Sequence, residues 1–208
     1  DDDTDDDDDV DDDIAEGWHA YNVDTDGIAT SIAVDESAKV HISYNYYTKG
    51  KGEFIRYATN GSGGWRIEEI GRASIGMYPS DHAIAVDSSG GVHIAYSGDC
   101  DLRYATNKSG AWQIFTVLDL SNGGTGDFAS IALDSSGKVH ISFYECGPTD
   151  EGECIYDSVR YATNKSGAWD IHTVDYLGSG SAPNCYTSIA VGADGVVRMI
   201  YNLSLIHI

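Results

Sequence analysis

The stretch RYATNKSGAW spans Arg103–Trp112 and returns letter for letter at Arg160–Trp169, and a third copy, RYATNGSGGW, occupies Arg56–Trp65. A ten-residue segment kept three times in 208 residues marks an internal repeat, and its tryptophans set the period. Trp18, Trp65 and Trp112 are each 47 residues apart, and Trp169 follows after 57. A second motif keeps step: SIAVDESAKVHISY from Ser31, AIAVDSSGGVHIAY from Ala83, SIALDSSGKVHISF from Ser130 and SIAVGADGVVRMIY from Ser188. The period therefore belongs to a whole unit of roughly 40 to 50 residues.

Each unit gathers β-branched and aromatic residues into short runs, with Gly, Ser, Asn and Asp between them. In the second unit this predicts strands at Ala83–Val86, Val92–Tyr96, Leu102–Thr106 and Trp112–Val117. The turn DSSG, Asp87–Gly90, offers a side-chain acceptor to its own backbone and a glycine for the left-handed position. NKSG, Asn107–Gly110, is expected to do the same. Turns this short make neighbouring strands antiparallel. A repeated four-stranded meander is the signature of a β-propeller blade. The expected fold is an all-β propeller fragment over 18–202: three four-stranded antiparallel blades and part of a fourth. Closed propellers have roughly four to eight blades. The chain is thus expected to be an arc whose partners include the remaining blades of a longer chain, and such an arc alone should associate.

Composition narrows the role. Hydrophobic residues make up 41% of the chain, enough for a core. Formal net charge is -22, half of it from eleven aspartates in the first thirteen residues. Such a balance repels phosphate backbones and anionic lipid, so no nucleic-acid role is expected. No apolar run approaches the ~18 residues of a transmembrane helix, and no membrane insertion is expected. With no starting Met and no signal peptide, the chain reads as mature or as a fragment. The last six residues, LSLIHI, break the repeat after Asn202 and resemble a translated sequencing adapter, so 203–208 is expected to be a non-native tail.

Cys100, Cys146, Cys154 and Cys185 lack the paired spacing of a zinc site. Cys146 and Cys154 bracket the polar insertion CGPTDEGEC, which a disulfide would close, and that pairing points to an extracellular or cell-surface location. Four free thiols are the alternative.

Antiparallel topology sorts the loops onto two faces. The turns joining strands one to two and three to four are nearly constant: DESA, DSSG, DSSG and NGSGG, NKSGA, NKSGA. The strand two to three loops and the blade connections differ in length and content, from SGDCD after Tyr96 to ECGPTDEGECIYDS after Tyr144. All four cysteines fall in the variable set. Function usually resides in loops carried on a rigid scaffold, so the variable face is the expected binding face for a glycan or protein ligand. Tyr46, Tyr47, Tyr78, Tyr156 and Tyr186 are its candidate residues, by stacking on sugars or packing on a partner. The bland alternative is that they cover the blade ends.

The NKSGAW segment resembles the Asp-box of bacterial neuraminidase-like repeats, S-x-D-x-G-x-T-W. Asn60, Asn107 and Asn164 stand at the spacing of the family's Asp from Trp65, Trp112 and Trp169. Asn replaces Asp, Ser109 and Ser166 stand where the family has Gly, and Ala111 and Ala168 where it has Thr. The resemblance spans about 18–202 and implies a propeller in which the box is a turn away from the catalytic face. The units also look like those of secreted bacterial propellers. A sialidase would need three arginines converging on a substrate carboxylate. Arg56, Arg103 and Arg160 instead occupy one equivalent position per blade, which predicts interblade or hairpin contacts. Glu68 and Glu69 point to opposite faces of a strand and form no catalytic pair. His41, His93 and His140 are likewise one per blade, too far apart to share a metal, and read as hydrogen-bonding scaffold. No catalytic residue is therefore assigned.

The head, TDDDDDVDDDI within 1–17, resembles the calcium-binding aspartate repeats of thrombospondin type 3 modules. The resemblance implies calcium at Asp6, Asp8 and Asp11 or Asp12, with Asp9 where the family has Gly and Thr4 in place of its first Asp. A solvated, self-repelling linker is the other reading. Two functions remain in view: a secreted or cell-surface, non-catalytic propeller binding glycan or protein through its variable loops, and a fragment of a neuraminidase-like glycoside hydrolase.

Overall fold

A computed structural model describes residues 20–73, 82–99, 101–120, 125–148, 154–177 and 186–202, with the backbone alone for 125, 146–148 and 154–157. Their strands are β1 (Gly27–Val34), β2 (Val40–Thr48), β3 (Gly52–Thr59), β4 (Arg66–Arg72), β5 (Ala83–Val86), β6 (Val92–Gly98) and β7 (Asp101–Thr106), then β8 (Gln113–Leu118), β9 (Thr125–Leu133), β10 (Val139–Pro148), β11 (Cys154–Thr163), β12 (Asp170–Tyr176), β13 (Thr187–Val191) and β14 (Val197–Tyr201). They form three antiparallel four-stranded sheets, β1 to β4, β5 to β8 and β9 to β12, and a two-stranded sheet of β13 and β14. No described residue is helical.

The predicted strands of the second unit are found at nearly their expected limits. Strand two runs on to Gly98, and strand four begins at Gln113 rather than Trp112. The indole of Trp112 lies edge-on to Tyr57 of the preceding blade, 5.2 Å between ring centroids. β1 and β9 each open on a bulge, with Ala29 (φ 47) and Phe128 (φ 54) at equivalent positions. Such a bulge bends the strand locally.

The core is divided into layers between blades. The first holds Ile55, Tyr57, Ile70 and Ala73 of the first blade against Ile84, Val92, Ile94, Tyr96 and Ala105 of the second. The next holds Ala95, Leu102, Tyr104 and Val117 against Ala129, Ile131, Val139, Ile141, Phe143 and Ala162. Tyr144 and Val159 of the third blade pack with Met199 and Tyr201 of the two-stranded sheet. First strands adjoin in sequence, β1 on β5, β5 on β9 and β9 on β13. The second and third blades thus use both faces. Burying one Ile such as Ile94 or Ile141, both 0% exposed, contributes roughly 1.5–3 kcal/mol.

Candidate functional site

On the constant-turn face, the repeated residues bond to one another. Asp87 Oδ1 accepts from the N–H groups of Ser89 (2.9 Å) and Gly91 (2.8 Å), as the turn chemistry predicts. Its Oδ2 lies 2.8 Å from Lys108 Nζ and 3.3 Å from His93 Nε2. His93 Nδ1 meets the Tyr104 hydroxyl at 2.6 Å. Burial holds His93 below its ordinary value, so the ring is neutral, with Nε2–H donating to the carboxylate and the phenol donating to Nδ1. Burial also raises the Tyr104 phenol, which keeps its proton for that bond. Burial by itself would raise Asp87, but bonds from Lys108, Ser89, Gly91 and His93 outweigh it and hold the carboxyl well below the usual range.

The same three residues recur as Asp35, His41 and Tyr57 and as Asp134, His140 and Tyr161, where the phenol bonds are kept at 2.7 and 2.6 Å while the carboxylates stand 3.5 and 3.6 Å from Nε2 without a hydrogen bond. Each histidine is thus engaged within its own blade, and the scaffold reading holds. The tyrosines of the first two relays pack edge-on against the tryptophan of the next blade, Tyr57 on Trp112 and Tyr104 on Trp169. In the two-stranded sheet Gly192 and Arg198 replace the Asp and His, and Arg198 pairs with Asp194 at 2.8 Å.

Asn60, Asn107 and Asn164 depart from expectation. Their side chains do not serve their own turn; each Oδ1 accepts the N–H that opens strand two, from Val40 (2.9 Å), Val92 (2.8 Å) and Val139 (2.8 Å). The turn itself closes through the backbone, Gly110 N–H on the Asn107 carbonyl at 2.8 Å. One side chain thereby ties the hairpin of strands three and four to the start of strand two. Two open clefts of about 510 Å³ also lie on this face between the first two blades, one walled by Trp112, Lys108 and Glu68, the other by Asp35, His41 and Lys39.

The arginines make ion pairs within their own blades, and the partners differ. Arg56 Nη1 reaches Asp24 Oδ2 at 3.1 Å and its guanidinium lies over the Tyr46 ring at 3.3 Å. Asp24 also accepts from the Tyr44 hydroxyl at 2.7 Å. Burial raises Asp24, and the bonds from Tyr44, Thr25 and Arg56 outweigh it and keep the carboxyl below its ordinary value. Arg103 pairs with Asp101 at 3.1 Å and Asp99 at 3.5 Å, and Arg160 with Glu145 at 2.9 Å. The three do not converge. Nearby, burial pushes Glu53 up against the opposing bond from Asn45 Nδ2 at 2.6 Å.

Of the candidate tyrosines, Tyr47 (59%) and Tyr186 (63%) are exposed at the variable face, while one face of the Tyr46 ring is taken by Arg56. Tyr156 is placed by backbone alone, opposite Cys146, and Tyr78 lies outside the described residues. Tyr21 (72%) and Tyr176 (75%) are two that the sequence reading missed. Tyr176 is the last residue of β12 on that face, and Tyr21 lies in the segment that leads into β1. Cys154 stands opposite Pro148 in the ladder, and the proposed disulfide partners' side chains lie outside the described set. Asp6, Asp8, Asp11 and Asp12 and the 203–208 tail also lie outside it. Among the described residues no group of three or more His, Cys, Asp or Glu is arranged to hold a metal ion, and no helix is long and apolar enough to cross a membrane.

No family model matches the chain, and no curated protein matches its sequence. Solved structures do match. The chain is similar to a triple arginine-to-alanine mutant of AofleA from Arthrobotrys oligospora, at 14% identity and TM-score 0.57 over 85% of this chain and 50% of that one. It is similar to the α-L-arabinofuranosidase of Fusarium graminearum solved with arabinobiose, at 10% identity and TM-score 0.50 over 81% and 55%. A fucose lectin from Kordia zhangzhouensis in complex with methyl-fucoside aligns at 16% identity and TM-score 0.45 over 69% and 96%. The chain spans about half the length of the first two. Such identities speak to architecture alone, and with the sheet order they give it: an all-β, open β-propeller of three four-stranded blades and two strands of a fourth.

Proposed function

We propose that this chain is a non-catalytic, secreted or cell-surface propeller that binds a glycan through its variable loop face. One observation carries the reading. Three of the four strongly exposed tyrosines among the described residues, Tyr47, Tyr176 and Tyr186, stand at a strand end on that face. The tyrosines of the constant face, Tyr57, Tyr104 and Tyr161, are committed to the histidine relays. A phenol joins a flat apolar ring to a polar tip, which suits the apolar face and hydroxyl rim of a sugar. The arabinobiose carried by the Fusarium relative supports a saccharide over a protein ligand. The test is a glycan array probed with the full chain, followed by the double variant Tyr47→Ala, Tyr186→Ala. Binding that falls at least tenfold in the variant is expected, whereas no binder, or binding the variant leaves intact, sinks the assignment to this face.

The same relative carries an activity on a related architecture, which keeps a second reading, a piece of a neuraminidase-like glycoside hydrolase. Turnover of fluorogenic sialosides or arabinofuranosides by the chain would favour it.

A further inference from the structure

The asparagine turn is built three times, and a single copy carries glycine directly after the asparagine. Asn60, Asn107 and Asn164 are each half-buried, and each lends Oδ1 to the N–H that opens strand two. Each turn closes on a glycine N–H, at 3.1, 2.8 and 3.0 Å from the asparagine carbonyl. The N–H of the next residue meets a threonine Oγ1 in every copy, at 3.3 Å for Gly61, 3.2 Å for Lys108 and 3.3 Å for Lys165. What differs is the side chain on that next residue, absent at Gly61 and an exposed lysine in the other two turns. Gly61 also borders the open cleft beside Asp35 and His41, so its nitrogen stands next to solvent. Among the described residues Asn60 Nδ2 donates to no acceptor, and it is open to water.

We propose that Asn60 is a self-modifying site, where the folded chain turns asparagine into aspartate and isoaspartate while Asn107 and Asn164 stay intact. The Gly61 nitrogen gives its proton to solvent and bonds to Asn60 Cγ. The carbonyl electron pair moves onto Oδ1 and returns as Nδ2 takes up a proton and leaves as ammonia. The cyclic imide that remains is opened by water at either of its carbonyls. One water is consumed and one ammonia released, with no oxidant or reductant. The fold assists the addition in all three turns, because the N–H of Val40, Val92 or Val139 already points at the oxygen where negative charge gathers. Selection falls to the attacking residue. A side chain there crowds its nitrogen and narrows the backbone angles it can reach, and glycine lifts both restrictions. The two products differ in effect: aspartate keeps a side-chain oxygen for the Val40 N–H, whereas isoaspartate routes the main chain through the former side chain and undoes that contact.

Peptide mapping by mass spectrometry tests it, on the full chain held folded in warm, mildly alkaline buffer. Mapping is needed because Asn122–Gly123, outside the described residues, is a second Asn-Gly pair. Asn60 is expected to convert about ten times faster than Asn107 or Asn164, or more. Electron-transfer fragmentation should find both acids at position 60, and hydrogen exchange at the Val40 N–H should accelerate as isoaspartate accumulates. Gly61→Lys gives the first turn the NKSG of the other two and should stop the conversion; its Cβ meets only the flexible Lys39 side chain closely, at 3.2 Å. Lys165→Gly removes an exposed side chain and should start the conversion at Asn164. An Asn60 that stays amidated, equal rates at the three asparagines, or a Lys165→Gly chain whose Asn164 is unchanged would each overturn the proposal.

Discussion

Ala38 holds φ 59 in the turn between β1 and β2, where the equivalent turns carry Gly90 (φ 81), Gly137 (φ 72) and Gly195 (φ 72). A side chain in the left-handed region costs roughly 1–2 kcal/mol, partly offset by the entropy that glycine loses on folding. Ala38→Gly is expected to raise stability by about 0.5–1 kcal/mol in denaturant melts. Gly90→Ala should cost about 1 kcal/mol, from backbone strain alone because a Cβ there meets nothing within 4 Å. The Asp87 and His93 pair sets a pH dependence. Both groups titrate below their ordinary values in the folded chain, so the unfolded chain binds more protons between the two values. Stability is then full above the ordinary histidine value of 6.5, falls below it as His93 resists protonation, and falls again below 3.8 as Asp87 is forced to protonate. Melting temperature against pH checks this: His93→Gln should flatten the upper step and leave the lower one. That the histidines are scaffold was legible in the sequence from their one-per-blade spacing. Their phenol partners were not, because the His-to-Tyr distance along the chain is 16, 11 and 21 residues in the three blades.

At the scale of the element, the same variable loop hides the role of the repeated asparagine. Asn60, Asn107 and Asn164 reach back 20, 15 and 25 residues to the N–H they accept, so no fixed offset in the sequence marks the bond. Only the β2–β3, β6–β7 and β10–β11 ladders bring the partners together. The strands and the aspartate turns, governed by contacts a few residues apart, were readable nearly to their ends. Asn107→Ala leaves the N–H of Val92, a residue 0% exposed, without its acceptor. The expected loss is about 1–3 kcal/mol by urea melt. Asn107→Asp, the residue of the Asp-box pattern, keeps an oxygen at that point and should lose far less. Equal losses in the two variants would mean that the side-chain oxygen is not what holds the turn.

For the whole molecule, the period predicted the architecture because each blade must bury two faces against its neighbours. The loop face was legible as a place and only partly as residues, since the exposure of Tyr176 depends on where β12 ends. Stability in such an array is close to a sum of blade terms and nearest-neighbour joints. The two tryptophan joints allow that to be tested. Trp112 packs on Tyr57 and donates its Nε1–H to Glu68 Oε2 at 3.2 Å, tying the second blade to the first. Trp169 packs on Tyr104, whose ring is also stacked by Phe115, the residue standing where the first blade has Glu68. Trp112→Ala removes a half-buried ring, with an expected cost of roughly 2–4 kcal/mol. The loss should concentrate at the first joint, so hydrogen exchange should accelerate in β1 to β4 while β9 to β12 keep their protection. Trp169→Ala should reverse the pattern, and the double variant should lose the sum of the two within about 0.5 kcal/mol. Uniform acceleration across all three blades in either single variant would show that the arc unfolds as one cooperative body and that its joints are not separable.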